Sequence, residues 1–328
     1  MTQRNLILIH RGPEYRQDFH EIRDKIRAIA PEITVLITAH LVERQPPTSF
    51  WVRPTLTVSL TGEFKLKVQR GPIIKSDTID KIAQARVFRE AGLPTPPIQK
   101  FQFGSKLDPI LFGEFVVIKP TSVEHASFGN GVQLFRRRTL EAMKLSDFPR
   151  EHLIHKDRRG FLVQRFIDTG STVNYTRILT FLGEPLYSYM SWSTVPRGSL
   201  DLPDAELQKL RIASARAPSR ERVLRHEEDA IALARRVHAV FPSVPLLGID
   251  IIREETTGRL FVIECNAGGN VWHFSSKVNA PLRVLLGGGK QVGEEKAEQI
   301  GRQMHIDQFG AFDRAAEVLV RKTRELAA

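Results

Sequence analysis

A short apolar run, Asn5–Ile9, reads as a strand. Phe19, Ile22, Ile26 and Ile29 then recur at helical spacing, and Ile33–Thr38 is a second, β-branched run. That order predicts a strand, a crossover helix and a parallel strand. Pro46 and Pro47 break the chain, after which Leu56, Val58 and Leu60 alternate with threonine and serine as a further strand. Residues 1–75 are therefore expected to form a small α/β lobe.

Ser76 and Asp77 offer caps for a helix with Ile79, Ile82, Ala83 and Val87 on one face. Gly92 closes it, and Pro94, Pro96 and Pro97 prevent its continuation. Strand-like runs follow at Phe115–Lys119, Phe161–Ile167, Arg177–Leu182 and Leu186–Met190. Ser191–Arg225 is polar, arginine-rich and weakly periodic, which predicts a mobile segment suited to closing over a site. A helix is expected over Glu227–Val240, with Ala230, Ala234 and Val237 inward. Leu247–Ile252 and Leu260–Glu264 read as strands joined through Thr257 and Gly258. Gly287–Gly289 is a flexible spot, and the stretch from Ala311 ends as a helix. The second and third units are expected over 76–165 and 166–328.

Composition narrows the class. No apolar run approaches the roughly 18 residues of a membrane span. The opening residues lack the length and cleavage site of a signal peptide. The single cysteine, Cys265, excludes a disulfide framework within the chain and points to the cytoplasm. A net charge of +11 fits basic clefts that bind phosphates or acidic substrates, a nucleic-acid surface, or a solvated basic exterior. No nucleic-acid motif accompanies it.

Candidate chemistry lies in four places. In GIDIIREETTGRLFVIECN, Asp250 sits in one apolar strand, and Glu264 and Asn266 end the next. Side chains alternate along a strand, so Glu264 and Asn266 share a face and Cys265 points away. If the two strands pair, three hard oxygen donors converge, as suits Mg²⁺. In FVVIKP, Lys119 ends a buried strand, where a lone ammonium is costly without an anion. The SFGNGV loop follows, and its glycines allow close backbone approach to phosphate, as a plain turn also would. Lys81 opens the helix before Gly92, where the helix dipole opposes it. FLVQRFIDTG runs a strand into a link that could present backbone to an adenine edge.

Together these pieces resemble the ATP-grasp superfamily over roughly residues 76–275. The style is closest to the RimK-like ligases that add glutamate to ribosomal-protein tails, and is similar also to D-alanine–D-alanine ligases. The resemblance implies an α/β protein with an ATP-grasp fold, in which a small N-terminal α/β lobe precedes two lobes that clasp ATP. It implies Lys81 and Lys119 as phosphate-binding lysines, and a phosphate loop carrying Ser127, Gly129 and Gly131. Gln164, Arg165 and Ile167 would line the adenine pocket, Arg165 and Ile167 through their backbone. Arg177 would act with Lys119 in catalysis by reaching the transferring phosphate or the substrate carboxylate. Asp250, Glu264 and Asn266 would hold Mg²⁺, with Mn²⁺ as an alternative ion.

The implied reaction is ATP-dependent joining of a carboxylate to an amine or thiol through an acyl phosphate. The expected partners are a small-molecule or peptide carboxylate and an acceptor, with no nucleic acid or membrane; a homodimer is compatible with the pattern. The sequence departs from the family where Gln164 replaces an acid, where Tyr175 stands in place of an acid two residues before Arg177, in the long lead-in Thr121–Ala126, and in the glycine-rich Ala267–Asn270. The arginines of 191–225 are candidates for contact with an anionic substrate or acceptor, or equally a solvated polar segment; His10 and His273 are candidates for contact with the substrate, or ordinary partly exposed histidines. A kinase acting on a hydroxyl, and a non-catalytic ATP- or nucleic-acid-binding module, are the alternative readings.

Overall fold

The computed structural model describes residues 2–43, 45–77, 79–121, 131–157, 160–213, 220–268 and 310–327. Its first unit is the expected βαβ. β1 (Arg4–His10) and β2 (Ile33–Ala39) pair in parallel across α1 (Pro13–Ile29). β3 (Thr55–Ser59) lies on the other side of β1, and β4 (Ile73–Lys75) adds beyond it, so the order is β2-β1-β3-β4. A parallel strand covered on both faces has no polar side to show. Leu6 and Leu8 accordingly pack with Phe19, Ile22 and Ile26 of α1, while Ile7 and Ile9 pack with Trp51 and Leu66. Ile29, on the predicted helical stripe, is 51% exposed.

α2 (Lys81–Glu90) starts later than its expected caps at Ser76 and Asp77. Asp80 is the cap, its Oδ1 accepting from the N–H groups of Ile82 (2.9 Å) and Ala83 (3.0 Å). Lys81 is thereby the first helical residue, and Ile79 precedes the helix.

A four-stranded antiparallel sheet follows, built from β5 (Ile98–Lys100), β6 (Phe115–Pro120), β7 (Gln133–Arg136) and β8 (Phe161–Arg165) in the order β5-β8-β6-β7. Val116, Ile118, Phe135, Phe161 and Val163 bury one face against Phe112 of α3 (Pro109–Phe112) and Leu140 of α4 (Arg137–Ala142). Alternation sends Lys119 and Gln164 to the other face.

The third sheet has five antiparallel strands: β9 (Asn174–Phe181), β10 (Glu184–Ser193), β11 (Arg220–Leu224), β12 (Leu246–Arg253) and β13 (Leu260–Ala267), in the order β11-β10-β9-β12-β13. Between β10 and β11 lies the short helix α5 (Asp204–Leu207). α6 (Glu228–Ala239) packs on one face of this sheet through Ala230, Ala234 and Val237. α7 (Ala311–Leu326) packs against α1 and β10 and ties the third sheet to the first lobe.

Over its described residues, the 191–225 segment departs from the expected loose lid. β11 pairs with β10, Leu207 is fully buried, and Asp204 accepts hydrogen bonds from Arg136 of β7 and Thr139 of α4. Its polar sequence had hidden the strand, because a sheet edge tolerates charged side chains. Among the described residues no helix is long and apolar enough to cross a membrane.

Candidate active site

Register assembles the centre. Arg177 of β9 stands opposite Asp250 of β12, and Asp250 stands opposite Glu264 of β13. Directly opposed residues of antiparallel strands share a face, so the three form one row. Tyr189 of β10 extends the row beyond Arg177. Asn266 lies two residues beyond Glu264 on the same face, its Nδ2 at 3.5 Å from Glu264 Oε1. Cys265 pairs with Ile249 and is buried facing away, and burial pushes its thiol up.

Two lysines close on this row from outside the sheet. Lys81 Nζ, from the first turn of α2, lies 3.5 Å from Glu264 Oε2. The helix is held there by Gln84, whose side chain mimics a neighbouring strand. Its Oε1 accepts from the Cys265 N–H at 2.9 Å, and its Nε2 donates to the Cys265 carbonyl at 2.8 Å. Lys119, from the second sheet, is buried to 7% exposure and feels both Lys81 and Glu264. Burial first, and the Lys81 charge second, bring its ammonium down to about 8 against the pull of Glu264.

The carboxylates differ in role. Asp250 accepts two hydrogen bonds from Arg177, Nε to Oδ1 at 2.7 Å and Nη2 to Oδ2 at 2.6 Å, a bidentate ion pair. Burial opposes the Arg177 charge, but Asp250, Tyr189 and Tyr175 carry it well above its ordinary value. Burial and the Glu264 charge raise Asp250 against the Arg177 pair. Burial also works to raise Glu264, but Lys81, Lys119 and Arg177 outweigh it and hold the carboxyl below its usual range. Among the described residues no three His, Cys, Asp or Glu side chains form a metal-ligating group. The donor set is thus two carboxylates and an amide, which fits Mg²⁺ when phosphate oxygens and water complete the shell. The Asp250 oxygens are already engaged by Arg177, so Glu264 and Asn266 are the less encumbered donors.

On the neighbouring sheet, Gln164 is buried opposite Val117, on the Lys119 face. The Arg165 N–H donates to the Pro97 carbonyl at 2.9 Å, and its Nη2 lies 3.3 Å from Glu254 Oε1. That N–H is therefore engaged within the chain, and Ile167 is buried. Gly131 has φ of +69°, and a Cβ there would stand 2.8 Å from Pro120 Cγ, so the chain requires glycine at this end of the loop expected to meet phosphate. Ser127, Gly129, Arg216 and His273 lie outside the described residues. Of the remaining arginines expected to meet an anion, Arg197 pairs with Asp168 at 2.9 Å and Arg225 with Glu227 at 2.7 Å. His10 is buried at the end of β1.

The sequence matches no family model and no curated protein. Several solved structures align with most of the chain. D-cycloserine synthetase DcsG is 16% identical over 92% of this chain and 99% of its own, with a TM-score of 0.45. D-alanine–D-alanine ligase from Bacillus anthracis is 13% identical over 99% of both chains, with a TM-score of 0.42. The ATP-grasp ligase PsnB, complexed with minimal precursor, Mg and ADP, is 12% identical over 86% of this chain and 96% of its own, with a TM-score of 0.44. The chain is a mixed α/β protein of several sheets, and these ligases are what it is similar to. Likeness at this level decides nothing about activity, which has to be read from the chain's own geometry.

Proposed function

We propose that the protein is an ATP- and Mg²⁺-dependent ligase of the ATP-grasp type, joining a carboxylate to an amine or thiol with release of ADP and phosphate. The observation that carries this reading is the convergence of Lys81 and Lys119, from two different elements, on the Arg177–Asp250–Glu264 row of a third. The buried Lys119 ammonium and the half-buried Lys81 ammonium repel each other and persist best where a polyanion is to be received. Units 1–75, 76–165 and 166–328 would then be the substrate lobe and the two jaws. The motif order favours the RimK-like branch, and the lone cysteine a cytoplasmic enzyme.

In this reading Glu264 and Asn266 hold Mg²⁺, with Asp250 between them and Arg177. The ion would supply charge neutralisation at the phosphates. Lys119 and Lys81 hold phosphate oxygens, and Arg177, kept cationic and fixed in direction by Asp250, offsets charge developing at the transferred group. A substrate carboxylate oxygen bonds to the γ-phosphorus as the bond to the ADP oxygen breaks. The acceptor then attacks the acyl carbon, loses its proton, and phosphate leaves.

Trapping with hydroxylamine tests the chemistry. A panel of carboxylates with ATP and Mg²⁺ is expected to yield one that gives a hydroxamate. Glu264→Gln should lower that product by about 10²–10³-fold, the usual loss for such an electrostatic group. A phosphate ester in place of the hydroxamate would assign a kinase, and neither product would assign a binding module.

A further inference from the structure

β8 leaves the second sheet at Arg165 and β9 enters the third at Asn174, so residues 166–173 link the two sheets. The link begins just after Gln164, which is buried on the Lys119 face. It is folded as a compact turn. Asp168 Oδ1 accepts from the Gly170 N–H at 2.9 Å, and the Asp168 carbonyl accepts from the Glu255 N–H at 2.8 Å.

One side chain from elsewhere in the chain closes this turn. Arg197 lies between β10 and α5. Its Nη2 donates to Asp168 Oδ1 at 2.9 Å and to the Gly170 carbonyl at 3.3 Å. Its guanidinium stands 5.6 Å from the Phe166 ring centre, and its own N–H donates to the Ser171 carbonyl at 2.7 Å. The side chain is 6% exposed. A guanidinium is costly to bury unless its donors are engaged and its face is covered, and the link supplies most of both. Beyond Arg197 the same segment crosses to the second sheet. Arg136 Nη2 of β7 donates to the Leu200 carbonyl at 3.0 Å, and Asp204 accepts from Arg136 and Thr139. The arginine is thus braced from the side of the sheet that carries Lys119 and Gln164.

We propose that Arg197 is a positioning residue for the nucleotide base: it fixes the link in the shape that receives the base and touches neither the phosphates nor the substrate. The proposal rests on the ligase reading, in which the link passes the base end of ATP. The phosphates would be held from other elements, by Lys81 of α2 and Lys119 of β6. A link released from Arg197 must be ordered again on binding, and that ordering costs affinity. The loss should therefore be felt at the base end of the nucleotide and not at the phosphate end.

Calorimetric titration of the full chain with ATP and with inorganic tripolyphosphate, each with Mg²⁺, separates the two ends, because tripolyphosphate has neither base nor ribose. Arg197→Ala should weaken ATP roughly tenfold, the equivalent of one charge-assisted hydrogen bond, and leave tripolyphosphate within about twofold. Arg197→Lys should recover part of the loss, since an ammonium can reach Asp168 but cannot lie flat over Phe166. If Arg197→Ala does not fold, Arg197→Lys carries the same comparison with a smaller expected loss. Asp168→Ala combined with Arg197→Ala should lose less than the sum of the two single effects, because both remove one contact. Unchanged ATP affinity, equal loss of ATP and tripolyphosphate, or a parent that binds the two equally tightly would overturn the proposal and leave the phosphate site standing. A parent that binds neither removes the ligase reading, and the proposal falls with it.

Discussion

Lys119 is an alkylammonium on an apolar strand, and its environment works against its charge. Burial and Lys81 bring it down to about 8, and only Glu264 pulls the other way. An incoming phosphate would replace that deficit with a charge-assisted hydrogen bond of about 1.5–3 kcal/mol. Lys119→Met keeps the stem and removes the charge. It should weaken ATP by roughly tenfold to a hundredfold on that estimate, as read by calorimetric titration. The free variant should be no less stable than the parent, because an unfavourably buried ammonium is gone. Unchanged ATP affinity would remove Lys119 from the nucleotide site.

Helix α6 shows how an element sets a residue's titration. Its inner face places His238 on the third sheet, where Nδ1 lies 2.7 Å from Thr180 Oγ1 and the ring is 3% exposed. Burial brings the imidazole down to about 4, opposed by a hydrogen bond with the Val244 backbone. The folded-state value lies below the unfolded one of 6.5, so the unfolded chain binds more protons between them. Stability from this group is full above pH 6.5 and is lost as pH falls through about 4, by about 3 kcal/mol in all. Urea midpoints at pH 7 and pH 4.5 should separate clearly in the parent and much less in His238→Gln. An equal drop in both proteins would show that the decline arises elsewhere.

At the scale of the molecule, the candidate site belongs to no single sheet. Lys119 comes from the second sheet, Lys81 from α2, and the acidic row from the third. Asp204 ties the 191–225 segment to Arg136 at the end of β7 in the second sheet and to Thr139 of α4. A nucleotide held between them should stabilise the whole chain by mass action. ATP with Mg²⁺ at about a hundred times Kd should raise Tm by roughly 4 °C. ATP with excess chelator should raise it much less if Glu264 and Asn266 hold the cation as proposed. Equal shifts with and without metal would count against that donor set.

Local pattern was enough to identify β1, α1 and β2, the paired strands β12 and β13, and helices α6 and α7, because burial of one face imposes a period that side chains must obey. It also put Glu264 and Asn266 on one face and Cys265 on the other, since alternation along a strand is a property of the backbone. β11 escaped notice because an edge strand shows its charges to water, and the start of α2 was misplaced because Asp77 and Asp80 are equally good caps by composition. The contacts that make a site depend on residues far apart in the chain. Only the folded arrangement paired Arg177 with Asp250, used Gln84 to seat α2 on Cys265, and engaged the Arg165 N–H with Pro97. Strand register and the packing of one lobe on another decide such meetings, and neither leaves a period in the sequence.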